Sequence, residues 1–216
     1  MKYKSTPKEL RALTLVELLV VLAVIAITGL TLLAQDMQTN TRMQSAQCKS
    51  NLKQIGLAFR VWEGDYGNRY PMSVPKDKGG SLECGAGPEM FMSFRVMSNE
   101  LNNAAVLHCP ADDREPSGGF ATLGNNNLSY FVGLDADESR PRMFLAGDRN
   151  LATNGVDVVP GLVLLTPDLS VGWSATMHNG RGNFGLADGS VQTGSGGTLQ
   201  TFLSHTGTNM NRLAVP

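Results

Sequence analysis

A carboxylate inside an uninterrupted apolar run is the first place where this chain asks for chemistry. Glu17 lies in Leu13-Thr14-Leu15-Val16-Glu17-Leu18-Leu19-Val20-Val21, and the apolar run continues to Ala34. A charge in such a segment costs free energy and marks a functional group by default. A second centre is His178, followed after nine residues by Asp188-Gly189 and then Ser190. These are the residue types of a hydrolytic triad. A nucleophile, however, needs its base within hydrogen-bond reach and an oxyanion hole, and no Gly-x-Ser-x-Gly elbow accompanies them. The chain is therefore not read as an enzyme, and no catalytic residue is assigned. His178 stays open between a hydrogen-bonded structural residue and a ligand or recognition group. A third set is Asp135, Asp137 and Glu138 in one loop, with Asp148 after a nearby strand. Calcium takes six to eight oxygens from such groups, although a solvated acidic turn has the same composition and no EF-hand pattern is present. Calcium is the one candidate cofactor.

Two further patterns are weighed on context. Gly180-Arg181-Gly182-Asn183-Phe184-Gly185 matches the dinucleotide fingerprint letter for letter. That motif needs a strand before it and a helix opening within it; Thr176-Met177-His178-Asn179 is a poor strand, and a turn at Asp188-Gly189 follows. Nucleotide binding is set aside, and the glycines are read as serving turns and bulges. The three cysteines are Cys48, Cys84 and Cys109. Outside the cytoplasm they allow one disulfide and leave one thiol over. Spacing does not select the pair. The reading leans to Cys84–Cys109, both placed in the globular domain, with Cys48 as a core residue. A zinc site is not expected, because no C-x-x-C occurs and the cysteines are far apart in sequence.

The elements that must position these groups follow from composition and period. From Leu13 to Ala34 the run is about 33 Å long as a helix, matching a hydrocarbon layer of about 30 Å. Lys2, Lys4, Lys8 and Arg11 precede it against one Glu9, and basic flanks stay on the cytoplasmic side. Beyond Ala34 the composition turns polar, and Cys48, Leu52, Ile55, Phe59, Trp62 and Tyr66 recur at alternating steps of four and three. That is one stripe of a helix, ending near Gly64-Asp65-Tyr66-Gly67. A helix from Thr14 to Gly64 spans about 77 Å. Pro71 to Pro88 reads as a surface loop, Phe91 to Leu101 as a short helical segment, and Val106 to Pro110 as a short strand. Ser129–Leu134 and Arg142–Gly147 are the clearest strands, Val156–Leu165 reads as another pair, and Gly182–Val191 as a hairpin with Asp188-Gly189 at its turn. With 24 glycines and a net charge of −1, the second half is a loop-rich β domain with no nucleic-acid footprint.

Arg11-Ala12-Leu13-Thr14-Leu15-Val16-Glu17-Leu18-Leu19 resembles the class III signal of type IV prepilins and type II secretion pseudopilins. The resemblance implies that a prepilin peptidase/N-methyltransferase cuts between Ala12 and Leu13 and methylates Leu13, leaving Glu17 fifth in the mature chain. Ala12 stands where the family usually has Gly, and Leu13 where it has Phe. In this family the acid neutralises a neighbouring subunit's new amine and fixes axial register, the role implied for Glu17. Gln47-Cys48-Lys49-Ser50-Asn51-Leu52-Lys53-Gln54-Ile55-Gly56, Tyr70-Pro71, Phe144–Asn150, Asn211–Pro216 and the His178…Asp188-Gly189 signature are similar to a subset of prepilin-like proteins. The family also raises the expectation of calcium, which its major pseudopilins bind in a loop of this domain. The expected fold is α+β and pilin-like: a long N-terminal helix packed on a small antiparallel sheet with long loops. Residues 1–12 would be a cytoplasmic leader, 13–34 a transmembrane half-helix, 35–66 an amphipathic half-helix, and 67–216 an extracytoplasmic β-rich domain. The implied function is a structural filament subunit anchored in the inner membrane, with other pilin subunits, an assembly platform and lipid as partners. The alternative is a membrane-tethered protein whose β domain binds an envelope polysaccharide.

Overall fold

The computed structural model describes residues 14–216, with the side chains of 29–39 outside that description. The leader, the cut between Ala12 and Leu13, and the methylation of Leu13 therefore lie outside the described residues. The chain divides into two compact units, Met1–Asn40 and Thr41–Pro216. The fold is mixed helix and antiparallel sheet, as expected.

Helix α1 runs Leu15–Asp65 and contributes to both units. Thr14 and Glu17 start it. The Thr14 amide and hydroxyl both donate to Glu17 Oε2, at 2.8 and 2.9 Å, and the Glu17 amide donates back to Thr14 Oγ1 at 3.3 Å. This reciprocal capping box satisfies donors that a helix start otherwise leaves unpaired. In the first unit Leu15, Val16, Leu18, Leu19, Val20, Val21, Leu22, Val24, Ile25 and Ile27 are all exposed. Among the described residues, no helix is long and apolar enough to cross a membrane.

In the second unit α1 carries the expected stripe. Cys48, Leu52, Ile55, Phe59 and Trp62 are each no more than 2 % exposed, and Tyr66 stacks on Trp62 at a 3.6 Å centroid separation. Lys53, Gln54 and Arg60 point to solvent. Each large side chain so buried stabilises the helix by about 1.5–3 kcal/mol, which is why the stripe, rather than local propensity, fixes this half of α1.

The stripe packs into a core shared with Tyr70, Met72, Met90, Phe94, Met97, Leu107, Leu128, Tyr130 and Val132. Between α1 and the sheet the chain makes short 3-10 turns and two one-turn helices, α2 (Met92–Arg95) and α3 (Ser98–Leu101). The strand expected at Val106–Pro110 is instead a 3-10 turn, Ala104–Leu107, started by Asn103, whose side chain accepts from the Ala105 amide. That local bond offers the backbone an alternative to a ladder.

The main sheet has the order β5-β9-β1-β2-β7-β8, from strands β1 (Tyr130–Gly133), β2 (Phe144–Asp148), β5 (Gly161–Leu165), β7 (Gly182–Leu186), β8 (Val191–Gly194) and β9 (Asn211–Val215). A smaller sheet joins β3 (Leu151–Thr153), β4 (Val156–Asp157) and β6 (Val171–Trp173). The expected pair within Val156–Leu165 does not form: β4 pairs with β3, and β5 with β9. Both faces of the central strands are covered. Tyr130 and Val132 face the α1 core, while Phe131 joins Phe144, Phe184, Trp173, Leu213 and helix α4 (Gly196–Ser204) in a second core. A Cβ at Gly133 would collide with the Phe144 carbonyl oxygen of the neighbouring strand.

Candidate functional site

Four chemically capable side chains meet behind α1. Cys48 comes from the helix stripe, Cys109 from the segment after the Ala104–Leu107 turn, Asp148 from the end of β2, and His178 from the loop before β7. Their ligand atoms all lie within 4.8 Å of one another, and all four residues are buried. Cys48 and Cys109 form a disulfide with a Cα separation of 5.2 Å. This corrects the expected Cys84–Cys109 pair; Cys84 is a buried free thiol beside Glu89, and burial pushes its pKa up. The periodic stripe places Cys48 on the inward face of α1, within bridging distance of Cys109, so the residue read as core is also the cross-link.

His178 Nε2 lies 3.3 Å from Cys109 Sγ and 3.5 Å from Asp148 Oδ2. Asp148 Oδ2 also accepts from the Asn183 amide at 2.7 Å and from its side chain at 2.9 Å. Asp148 Oδ1 and His178 Nδ1 are buried without a hydrogen-bond partner. Burial drives both groups toward their neutral forms. It raises Asp148 to about 7 against the lowering pull of the Asn183 bonds, and it lowers His178. The loop carrying His178 is held by Asn150, whose side-chain nitrogen faces the carbonyl oxygens of Ser174, Met177 and Arg181 at 3.0, 3.1 and 3.1 Å. His178, Asn179 and Gly180 all take positive φ, at 51°, 52° and 73°. Asn and Gly tolerate this conformation and His does so less readily, so the imidazole is aimed by a constrained turn.

The other end of the signature is a different contact. Asp188-Gly189 makes the β7–β8 turn, with Gly189 at φ 83° and Asp188 Oδ1 accepting from the Ser190 amide at 2.8 Å. Gly56 of α1 sits against Gly189, and a Cβ on Gly56 would lie 3.9 Å from its Cα. The Ala187 carbonyl beside this turn accepts from Tyr70 Oη at 2.8 Å and Arg60 Nη1 at 3.5 Å. Cys48 and Gly56 are about 12 Å apart along the helix, a span that the five-residue strand β7, about 16 Å, covers. The nine-residue spacing thus sets His178 behind the disulfide and Asp188-Gly189 against the next turns of α1. His178, Asp188 and Ser190 do not assemble as a triad, since Asp188 is exposed at the turn while His178 is buried.

The proposed calcium ligands do not converge. Asp135 pairs with Arg212 through bonds of 2.6–2.8 Å, Asp137 accepts from the Ser139 amide and hydroxyl, Glu138 lies 3.8 Å from Arg60, and Asp148 is buried with His178. Each acid already has a partner of its own. The glycine fingerprint is also resolved: Gly182 opens strand β7, no helix begins within the motif, and a Cβ at Gly182 would strike the Trp173 ring.

Residues beyond the sequence reading support the cluster. Arg149 grips Asp112 through Nε and Nη2 at 2.8 and 2.6 Å. Burial opposes ionisation of Asp112, but the Arg149 and Ser129 bonds outweigh it and hold its carboxyl down to about 2. Arg114 ties this corner to the chain end by donating to the Asn125, Leu128 and Pro216 carbonyls. The run Asp148-Arg149-Asn150 is the one sequence signal for these contacts, three polar residues that close an apolar strand. A groove of about 390 Å³ opens near the disulfide, lined by Gln47, Asn51, Gln54, Asn103 and His108 among others. Comparison of the chain with family models, with curated proteins and with solved structures returns no match.

Proposed function

We propose that this chain is a structural subunit, a pseudopilin or minor pilin, of a type II secretion pseudopilus or type IV pilus-like filament. It is cut after Ala12 and methylated at Leu13. The first segment of α1 anchors it in the inner membrane, with the N-terminus cytoplasmic and the β domain outside, and the same helix packs against neighbouring subunits. The observation that carries this reading is the apolar surface from Leu15 to Ile27, exposed at consecutive positions and so on every side of the helix. A helix apolar all round requires cover, and lipid or the helices of neighbouring subunits supply it. Non-closing contacts of this kind build a filament rather than a ring.

Glu17 has two roles to separate, because its carboxylate caps its own helix through Thr14. Glu17→Gln keeps a capping box, which accepts Gln as well as Glu, and removes the charge. The expected result is unchanged helix content and membrane insertion with filament assembly lost; filaments at the parental level in Glu17→Gln would reduce Glu17 to a cap. A second reading, the membrane-tethered polysaccharide binder, is favoured by the amide-lined groove. Saturable glycan binding that weakens in Gln54→Ala would support it, and no binding would remove it.

A further inference from the structure

We propose that Cys48, Cys109, His178 and Asp148 form a tetrahedral zinc site in the dithiol form of the chain, so that a metal and a disulfide are alternative closures of one junction between α1 and the β domain. Two thiolates, an imidazole and a carboxylate are a donor set that zinc takes. The geometry is largely in place. With Zn–S about 2.3 Å and Zn–N and Zn–O about 2.0–2.2 Å, tetrahedral angles put nitrogen and oxygen about 3.4 Å apart, and sulfur and nitrogen about 3.6 Å apart. His178 Nε2 lies 3.5 Å from Asp148 Oδ2 and 3.3 Å from Cys109 Sγ. The remaining adjustment is at the sulfurs, which must part to about 3.8 Å, a side-chain rotation of Cys48 or Cys109 once the bond between them is broken.

Two further observations bear on the site. Asp148 Oδ1 is a buried carboxylate oxygen without a partner, which leaves the carboxylate an oxygen free to join or replace Oδ2 at the metal. Asn183 orients the Asp148 carboxylate with two donors, as the outer shell of a metal site does. The chemistry balances with a dithiol reductant. The disulfide accepts two electrons and two protons, the reductant closes its own disulfide, and zinc then displaces the two thiol protons together with any proton on the Asp148 carboxyl. The product carries two thiolates, a neutral imidazole and a carboxylate around the dication.

The test uses the full chain, oxidised or reduced, titrated with zinc alone and with cobalt(II) as a spectroscopic substitute. The reduced chain is expected to bind one zinc and to give cobalt the intense visible bands of tetrahedral coordination with thiolate charge transfer; the oxidised chain binds none. Cys84→Ser should leave this unchanged, and Asn183→Ala should weaken zinc on the order of tenfold or more. A reduced chain that retains its near-ultraviolet dichroism but takes no zinc overturns the proposal. So does a cobalt spectrum without thiolate bands, or binding that survives Cys48→Ser with Cys109→Ser. Should the reduced chain lose its dichroism, recovery of that signal on adding zinc supports the site, and failure to recover it counts against it.

Discussion

At the scale of single residues, the chemistry of this chain lies in groups whose surroundings set their state. Asp112 is one such group, held near 2 by Arg149 although burial works against it. Its unfolded-state value is the ordinary 3.8, so the folded state holds fewer protons between those limits and is stabilised above them. The stability this pair contributes, roughly 2 kcal/mol at one pKa unit per 1.36 kcal/mol, is present above about pH 4 and is lost as pH falls toward 2. Denaturant titrations of the parent and of Asp112→Asn should diverge at neutral pH and converge near pH 2; parallel curves would mean that Arg149 does not stabilise the fold. At Gly133 the constraint is steric. Gly133→Ala forces a Cβ into the Phe144 carbonyl and should cost on the order of 3 kcal/mol or more, read as a fall in the urea midpoint. A midpoint within experimental error of the parent would mean that β1 and β2 move apart easily.

At the scale of elements, the disulfide joins positions 61 residues apart. Chain-entropy arguments value a loop of that length at about 4 kcal/mol. Cys109→Ser assayed without zinc should therefore lower stability by roughly that amount, while Cys84→Ser should change it little; equal effects of the two would contradict the pairing. The α1 stripe was legible because period alone selects a helical face, and Cys48, Leu52, Ile55, Phe59 and Trp62 all lie on the buried one. Strands β1 and β2 were legible for a related reason: both faces are buried, so they read as short continuous apolar runs. The cysteine pairing was not, because Cys48 and Cys109 come together only when the helix docks, and period reports a face without its opposite partner. The partners of the acidic loop were not legible for the same reason. Asp135 and Asp137 are neighbours in sequence, yet Arg212 and Ser139 claim their oxygens, and nothing local announces Arg212. Helix α4 carries no local helix signal, because Gly196-Gly197 opens it with poor helix formers, and its burial of Leu199 and Leu203 in the second core stabilises it. The capping box at Thr14-x-x-Glu17 is legible in its spacing alone.

At the scale of the whole molecule, two kinds of surface divide the chain. The residues after Asn40 close two cores around one sheet, burying its central strands β1, β2 and β7 on both faces. From Leu15 to Ile27 the helix leaves its large apolar side chains exposed. That contrast underlies the proposed filament, in which the first unit is completed by other copies and by lipid. Cysteine pairs introduced at neighbouring apolar positions, such as Val20 and Val24, should cross-link successive subunits in assembled material and give ladders on non-reducing gels; monomers alone would argue for the tethered reading. The most direct measurement is the intact mass and N-terminal residue of the protein recovered from its native membrane. The account predicts a chain starting at Leu13 with one methyl group on its amine. A mature chain still carrying Met1 or Ala12 would contradict it, since Glu17 would then have no new amine to meet.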